Sequence, residues 1–359
     1  MNVFNNYKPV RLIELFAGIG AQAKALVNLG VDFERWFVCD FDPDAVESYN
    51  AVHNTEYKPC DITKISANDL NVVETDKYTY VLTYSFPCQD LSSHGFSKGM
   101  SRGSGTRSGL LWEVERLLNE CVELPQVLLM ENVPQVHGAN NMADFLEWTT
   151  FLNSKGYSNH WTDLNSMDYG IPQSRNRCFM VSILGDYTFD FPQTQALTST
   201  LLDLLDDVVD ERFYSNGNDG TLRQKVYDIA IEKKFLSPGD IIDASYSAAR
   251  LKEMESGWIK LKNTKDRRVA CTLTTKPDNW AVCTQDGRLR KFTPEECWRL
   301  MGFDANDFAR AALKCDESQL YKQAGNSIVV NVLMAIFKEL LIPKKSRSEW
   351  LDELLGDCL

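Results

Sequence analysis

The sequence is poor in the residues that build metal centres and disulfide frameworks. Among its 359 residues there are only four histidines, and the ten cysteines include no C-x-x-C pair and no other metal-ligand spacing. These absences argue against a zinc site and against a disulfide-stapled fold. We therefore expect reduced thiols, as in a cytosolic protein, and no bound metal.

Long hydrophobic runs and an excess of positive charge are also missing. The most apolar stretch, residues 328–342, is interrupted by Asn331, Lys338 and Glu339, and no signal-peptide pattern is present. This predicts a cytoplasmic protein with no membrane partner. The chain has 38 Lys and Arg against 50 Asp and Glu, for a formal net charge of −12. That balance argues mildly against a nucleic-acid partner but does not exclude a local basic face.

The N-terminal part of the chain has the pattern of an α/β unit that binds a dinucleotide-type cofactor. Residues 11–15 predict a short strand, residues 16–20 a tight turn and residues 21–29 a helix. Gly18 and Gly20 in this turn would let a ligand approach the backbone closely. The order of strand, turn and helix predicts a Rossmann-like start.

Two acidic residues stand where further strands of this unit end. Asp40 ends the apolar stretch 36–40, twenty residues after Gly20, and this spacing suits a carboxylate that binds ribose hydroxyls. Asp61 follows Cys60 in a similar position. Two glycines in a turn are weak evidence by themselves. With both acids behind them, an adenosine-containing cofactor is the favoured interpretation.

A cysteine and a glutamate mark the ends of two further apolar stretches. Cys88 follows residues 80–86, and Glu131 follows residues 126–130. In open α/β sheets ligands bind at the carboxyl ends of the strands, so these side chains could serve one substrate as nucleophile and acid. For either residue alone, an ordinary buried cysteine or a strand-end carboxylate explains the pattern equally well.

An ordered series of short motifs extends from Phe16 to about Leu340. It comprises FAGIG at 16–20, Asp40-Phe41, Asp61-Ile62, PCQ at 87–89, ENV at 131–133, QSRNR at 173–177, TPEEC at 293–297, LMGF at 300–303 and GNS at 325–327. In this order and spacing, the chain resembles the DNA (cytosine-5)-methyltransferases of the bacterial and phage restriction-modification type.

The resemblance implies S-adenosylmethionine as methyl donor, bound by a Rossmann-like domain. Asp40 would bind the ribose hydroxyls, Phe41 would stack on adenine, and Asp61 would accept from its exocyclic amine. Many family members have Glu and Trp where this chain has Asp40 and Phe41. The implied cofactor residues are Phe16, Gly18, Gly20, Asp40, Phe41, Asp61, Ile62, Pro87, Leu110, Asn326 and Ser327. Leu110 also fits the apolar stripe of a core helix.

The resemblance assigns the chemistry to four residues. Cys88 would attack C6 of a cytosine that has left the helix, and Glu131 would act as the acid at N3. Arg177 would contact O2 of the base, and Arg175 would assist nearby. The alternative is that both arginines are ordinary solvated side chains at the edge of a strand.

Contacts to DNA are expected from two regions. Residues 92–107, rich in Gly and Ser, predict a lid or else a plain surface linker. A basic strip that contains Trp258 follows at residues 250–268. In most proteins such a strip is an ordinary solvated surface. The expected DNA-binding residues are Gln89, Ser92, Lys98, Arg102, Arg107, Arg250, Lys260, Lys262, Arg267, Arg268, Thr272 and Lys276.

The α/β pattern is interrupted by an irregular segment, which resembles the family's smaller target-recognition domain. We predict a catalytic and cofactor domain at 1–191, a recognition domain at 192–291, a return to the catalytic domain at 292–343 and a peripheral tail at 344–359. Thr293 is expected to cap a helix, and residues 326–341 to form the last helix.

These observations favour a monomeric methyltransferase of duplex DNA, solitary or paired with a separate restriction endonuclease. A tRNA cytosine methyltransferase is the alternative enzyme, although the long recognition region favours duplex DNA. A catalytically silent DNA-binding regulator is disfavoured by intact Cys88, Glu131 and Arg177. A nicotinamide oxidoreductase would share the first turn but would not explain the PCQ and ENV motifs.

Overall fold

A six-stranded sheet forms the centre of the computed structural model. The structure describes residues 8–91, 99–214, 240–243, 269–275 and 280–342, together with positions 228, 229, 232 and 238. The strands of the first half are β1 (Val10–Leu15), β2 (Phe33–Cys39), β3 (Thr79–Tyr84), β4 (Val127–Asn132), β5 (Tyr157–Asn165), β6 (Gln173–Ser174) and β7 (Asn176–Leu184). The helices between them are α1 (Ala21–Asn28), α2 (Pro43–His53), α3 (Ala67–Leu70), α4 (Leu111–Glu120) and α5 (Met142–Ser154).

The order of the central sheet is β2-β1-β3-β4-β7-β5. Strands β1 to β4 pair in parallel, whereas β7 is antiparallel to both β4 and β5. The carboxyl ends of the four parallel strands therefore meet at one edge. The beginning of β7 lies at the same edge, opposite the end of β4, because it runs the other way.

Neighbouring residues of the parallel strands face opposite sides of the sheet, as the pleat of a strand requires. Leu12 belongs to a core that contains α1 and the C-terminal helices, whereas Ile13 belongs to a second core that contains α4 and α5. Helices thus cover both faces, as a largely parallel sheet requires. The predicted α/β, Rossmann-like class is confirmed.

The C-terminal part returns to this sheet through four helices. The later elements are β8 (Ile241–Asp243), β9 (Ala270–Cys271), β10 (Trp280–Cys283), β11 (Leu289–Arg290), α6 (Pro294–Arg299), α7 (Ala305–Ala312), α8 (Glu317–Asn326) and α9 (Val330–Leu341). Strands β8, β10 and β11 form a small antiparallel sheet, and β9 pairs with β6. The domain boundaries at 191 and 291 and the tail at 344–359 stay predictions, and the tail lies outside the described residues.

Two helix predictions have different outcomes. Thr293 caps α6 as expected: the Glu296 N–H donates to its hydroxyl at 3.1 Å, and Glu296 accepts from the Thr293 N–H at 2.8 Å. The prediction of one helix over residues 326–341 is wrong. Asn326 ends α8, residues 327–329 include extended backbone, and α9 begins at Val330. The sequence pattern hid this break because apolar residues continue through it.

Among the described residues, one helical stretch, Glu317–Leu341, is long and apolar enough by composition to span a membrane. Its most apolar window is 61% buried inside the protein. The stretch consists of α8 and α9, and α9 packs against α1. This degree of burial is typical of helices in a protein core.

Candidate active site

A cavity of about 740 Å³ opens at the carboxyl edge of the central sheet. Its walls come from the ends of β1 to β4, from the beginning of β7 and from the break between α8 and α9. All of the predicted catalytic residues and all but one of the predicted cofactor residues line it. They are Cys88, Glu131, Arg175, Arg177, Phe16, Gly18, Asp40, Phe41, Asp61, Ile62, Pro87, Leu110, Asn326 and Ser327.

The exception is Gly20, which lies outside the residues that line the cavity. Its φ is +78°, and a Cβ there would lie 2.3 Å from Nε2 of His53 and 2.6 Å from the Tyr49 ring. Glycine at this position therefore permits close packing of α1 on α2. Gly18 differs, because a Cβ there would meet no protein atom within 4 Å. Of these two glycines, Gly18 is the one that lines the cavity.

Asp40 is the buried acid of the cavity. Its carboxylate accepts from the Gly18 N–H at 2.7 Å and from the Asp42 N–H at 2.9 Å. Burial is the main influence on this group and raises the pKa of Asp40 above its ordinary value, against the effect of those two N–H donors. A carboxylate has about four acceptor sites, so Asp40 keeps capacity for hydroxyl donors.

Asp61 and Phe41 are far more accessible. Asp61 accepts from the Thr63 hydroxyl at 2.7 Å and from its N–H at 3.1 Å, and these bonds lower the pKa of Asp61. The Phe41 side chain is 74% exposed, although its ring borders the cavity. An exposed aromatic ring beside a cavity offers a flat apolar surface for a planar ligand.

Cys88, Glu131 and Arg177 form a cluster in the wall of the cavity, which we call the catalytic cluster. Burial and then the negative charge of Glu131 raise the pKa of the Cys88 thiol, while the arginines act in the opposite direction. Burial also raises the pKa of Glu131. Arg177 Nε lies 3.3 Å from Oε1 of Glu131. The cluster thus combines a thiol, a carboxyl group that retains its proton more readily than usual, and a cation.

Arg175 is placed differently from Arg177, although both line the cavity. Its Nη1 donates to the Leu273 carbonyl at 3.0 Å, and its Nη2 donates to the carbonyls of Gly325 and Ser327 at 2.9 and 2.8 Å. Both of its terminal nitrogens are thus occupied by backbone. Arg175 thus ties three segments together, and its predicted assistance at the base stays a prediction.

Comparison with known proteins agrees with this geometry. A family model described as C-5 cytosine-specific DNA methylase matches residues 10–341. The chain is 32% identical to type II methyltransferase M2.ScrFI of Lactococcus lactis subsp. cremoris, over 92% of this chain and 99% of that protein. It is 31% identical to orphan methyltransferase M.SssI of Spiroplasma monobiae, over 94% and 99%. The chain belongs to the C-5 cytosine-specific DNA methylase family.

Solved structures show the same fold at lower identity. Entamoeba histolytica methyltransferase EhMeth superposes with a TM-score of 0.68 at 20% identity, covering 93% of this chain and 98% of that one. The S. pombe Dnmt2 methyltransferase gives 0.63 at 21% identity, with coverages of 93% and 98%. The chain is therefore a DNA (cytosine-5-)-methyltransferase with a methyltransferase fold.

S-adenosylmethionine is the methyl donor of this family, and the cavity of this methylase fits it. The buried Asp40 carboxylate can accept from hydroxyls, and the exposed Phe41 ring can lie on a purine. A Cβ at Gly18 would meet no protein atom, so the backbone there leaves open space in the cavity. Apolar walls with a few polar groups are typical of cofactor sites.

The predicted DNA-binding residues of the methylase are only partly described. Arg102 donates to Glu115 and Glu147 and lies over the Trp112 ring, so its charge is paired within the protein, and its contact with DNA stays a prediction. Arg107 hydrogen-bonds to Gln89 at the cavity rim. The following predicted DNA-binding residues lie outside the described part of the chain: Ser92, Lys98, Arg250, Lys260, Lys262, Arg267, Arg268 and Lys276.

The motifs missed Ser85 and Ser108, and they included Asn132 without predicting its contact. The Ser85 side chain hydrogen-bonds to Glu131, and the Ser108 hydroxyl donates to the Pro87 carbonyl at 2.6 Å. Asn132 Nδ2 donates to the Phe86 carbonyl at 2.9 Å and so joins the ends of β3 and β4. Ser85 could have been found as a strand-end polar residue beside PCQ. No local pattern in the sequence connects Ser108 with Pro87.

Proposed function

We propose that this methylase takes a target cytosine out of duplex DNA and attacks its C6 through Cys88. The observation that supports this most strongly is that the catalytic cluster lines the same cavity as Asp40. The C6 edge of cytosine is inaccessible within stacked DNA, so the base has to leave the helix to reach Cys88.

Cys88 is suited to covalent catalysis because a thiolate is a strong nucleophile toward an electron-poor ring carbon. Burial raises the pKa of Cys88, so the free protein holds mainly the thiol. The thiol first loses its proton to solvent, and attack by the resulting thiolate forms a bond between Sγ and C6 while the electron pair of the C5–C6 double bond moves toward C5 and N3. After C5 has taken the methyl group, a base from solvent removes the C5 proton, the electron pair of that bond restores the C5–C6 double bond, and the bond between Sγ and C6 breaks to release the Cys88 thiolate.

Glu131 supplies the acid in this scheme. Burial raises the pKa of its carboxyl group, which favours the protonated form that can donate to N3 of the base. Arg177 would donate to O2 of the same ring, and its Nε lies 3.3 Å from Glu131. Together these groups favour the electron-rich ring that reacts at C5. Bound S-adenosylmethionine supplies the electrophilic methyl group that C5 accepts.

We further propose that residues 192–291 select a short DNA sequence while the flanking motifs perform the chemistry. The support is the loss of α/β periodicity there and the basic residues between 250 and 268. The protein would act as a monomer, with any restriction endonuclease acting separately. Its relatives include proteins named type II and proteins named orphan methyltransferases.

Bisulfite sequencing of DNA from cells that express this chain tests the function directly. We expect protected cytosines in one short sequence context and none in cells that express Cys88→Ser. Transfer of residues 192–291 into a relative of different specificity should transfer that context. Methylated tRNA without methylated DNA would contradict the proposal in favour of the RNA-modifying alternative.

A further inference from the structure

Three chain segments from different parts of the methylase meet at the Arg175 side chain. They are Arg175 itself, residues 272–275, and Gly325 to Ser327 at the break between α8 and α9. We call this meeting point the junction. Residues 272–275 belong to the region proposed to recognise DNA, whereas Asn326 and Ser327 line the cofactor cavity. The junction is therefore where the two functions touch.

Arg175 resists any separation of these segments. Its guanidinium is buried, and burial lowers the pKa of Arg175 to about 9. Three backbone carbonyls accept from its Nη atoms, those of Leu273, Gly325 and Ser327, whereas its buried Nε has no hydrogen-bond partner. A buried cation that loses its partners is strongly unfavourable. Movement of one segment away from Arg175 therefore tends to move the other.

Gly325 brings the same two segments into backbone contact. A Cβ on Gly325 would lie 2.4 Å from the Thr274 carbonyl carbon and 2.5 Å from the Thr275 nitrogen. Gly325 lies within α8 and does not have a positive φ. Alanine would favour the helix itself. We therefore attribute glycine at position 325 to the close approach of the backbone of residues 274 and 275 to α8.

Additional bonds fix the recognition side of the junction. The Leu273 N–H donates to Oε1 of Gln173 at 3.0 Å, and Nε2 of Gln173 donates to the Leu300 carbonyl at 2.8 Å. The Thr272 hydroxyl donates to the Ser174 carbonyl at 2.6 Å. Thr272 was predicted to contact DNA, but its hydroxyl faces β6 in this structure. Residues 272 and 273 are thus held on the catalytic domain by side chains as well as backbone.

We propose that Arg175 and Gly325 are positioning residues that couple target recognition to the cofactor pocket. Cognate DNA that displaces or orders residues 272–275 would shift Asn326 and Ser327 through the junction and so change affinity for the cofactor. By linkage, bound cofactor would change affinity for cognate DNA by the same factor. This inference rests on the proposed role of residues 192–291 in recognition.

The test measures binding of S-adenosylhomocysteine, the unreactive product, with two duplexes. One carries the sequence that the wild-type enzyme methylates, and the other carries a scrambled sequence. We expect tighter binding with the cognate duplex, by about 5–150-fold as is common for coupled sites. Equal affinity with the two duplexes for the wild-type protein would overturn the proposal.

Gly325→Ala and Arg175→Lys should bring this ratio close to one. Ser318→Ala is the matched control, because it introduces alanine on an exposed face of the same helix, and it should keep the wild-type ratio. If either junction variant unfolds, Thr272→Val removes one bond without adding bulk and should lower the ratio partially. Junction variants that fold and keep the full ratio would also overturn the proposal.

Failure here can be separated from failure of the proposed function. An enzyme that methylates no DNA cytosine fails the bisulfite test before any ratio can be measured. An enzyme that methylates a defined sequence but shows equal affinities keeps its function and loses only the coupling.

Discussion

The two halves of the cavity differ in how completely their polar groups are satisfied. In the cofactor half, Asp40 and Asp61 already accept backbone N–H groups of the protein. In the catalytic half, burial raises the pKa of both Cys88 and Glu131, and Arg177 is the cation closest to that carboxylate. We therefore expect the cofactor half to be formed before its ligand binds, and the catalytic half to be completed by the proposed flipped base. Substitutions in the first should change binding, and those in the second should change the rate.

Cys88→Ser should give the largest effect. A hydroxyl in the same place is a far weaker nucleophile, so we expect turnover to fall below detection in a methyl-transfer assay with radiolabelled donor. Cys121→Ser is the control, because this thiol lies on another part of the protein, at the end of α4. A Cys88→Ser enzyme with normal turnover would remove covalent catalysis from the mechanism.

Glu131→Gln keeps the shape of the side chain and removes the acid. General acids typically contribute about 10²–10⁴-fold, so we expect the single-turnover rate to fall by that factor. Affinity for DNA, measured by fluorescence anisotropy, should change much less. Glu56→Gln on the exposed surface serves as control. Equal losses in rate and affinity would mean that Glu131 acts mainly in binding.

The raised pKa of Glu131 in the catalytic half also predicts that the methylation rate depends on pH. Glu131 acts when protonated, and burial raises its pKa, so the wild-type rate should fall as pH rises through that pKa. The Gln variant should lack this alkaline decline. A decline that persists unchanged in Glu131→Gln would assign it to another group.

Asp40→Asn should weaken cofactor binding with little change in the rate at saturation. Hydrogen bonds to a charged group contribute about 1.5–3 kcal/mol, which corresponds to roughly 10–150-fold in affinity. Isothermal titration with S-adenosylhomocysteine measures this, with Asp32→Asn as an exposed control. A large loss in saturated rate with normal affinity would place Asp40 in the catalytic half.

Asp61→Asn should give the smallest effect. The amide keeps the oxygen that accepts from Thr63, and the side chain is partly exposed. A neutral hydrogen bond contributes about 0.5–1.5 kcal/mol, so we expect roughly a 2–10-fold loss of affinity in the same titration. A loss that exceeds that of Asp40→Asn would reverse the order of the two acids.

Much of the site could be predicted from the sequence because it lies where strands end. Asp40, Cys88 and Glu131 each follow a local apolar stretch, and parallel strands place such ends at one edge. Local patterns were sufficient for these residues. The same reasoning recovered the α/β class and the cap at Thr293.

The features that the sequence did not predict depend on contacts between distant segments. Gly20 is glycine because of His53 and Tyr49 on another helix, and Arg175 binds carbonyls about 100 and 150 residues away along the chain. The break before Val330 is concealed by continuous apolar residues. No short sequence window contains the partners that decide these roles.

Covalent trapping tests whether Cys88 forms a bond with the target cytosine. DNA with 5-fluorocytosine at the methylated position, incubated with the enzyme and S-adenosylmethionine, should give a stable adduct, because fluorine cannot leave C5 as a proton does. Peptide mapping by mass spectrometry should place the modified base on Cys88. An adduct on another residue, or none while ordinary DNA is still methylated, would contradict the account.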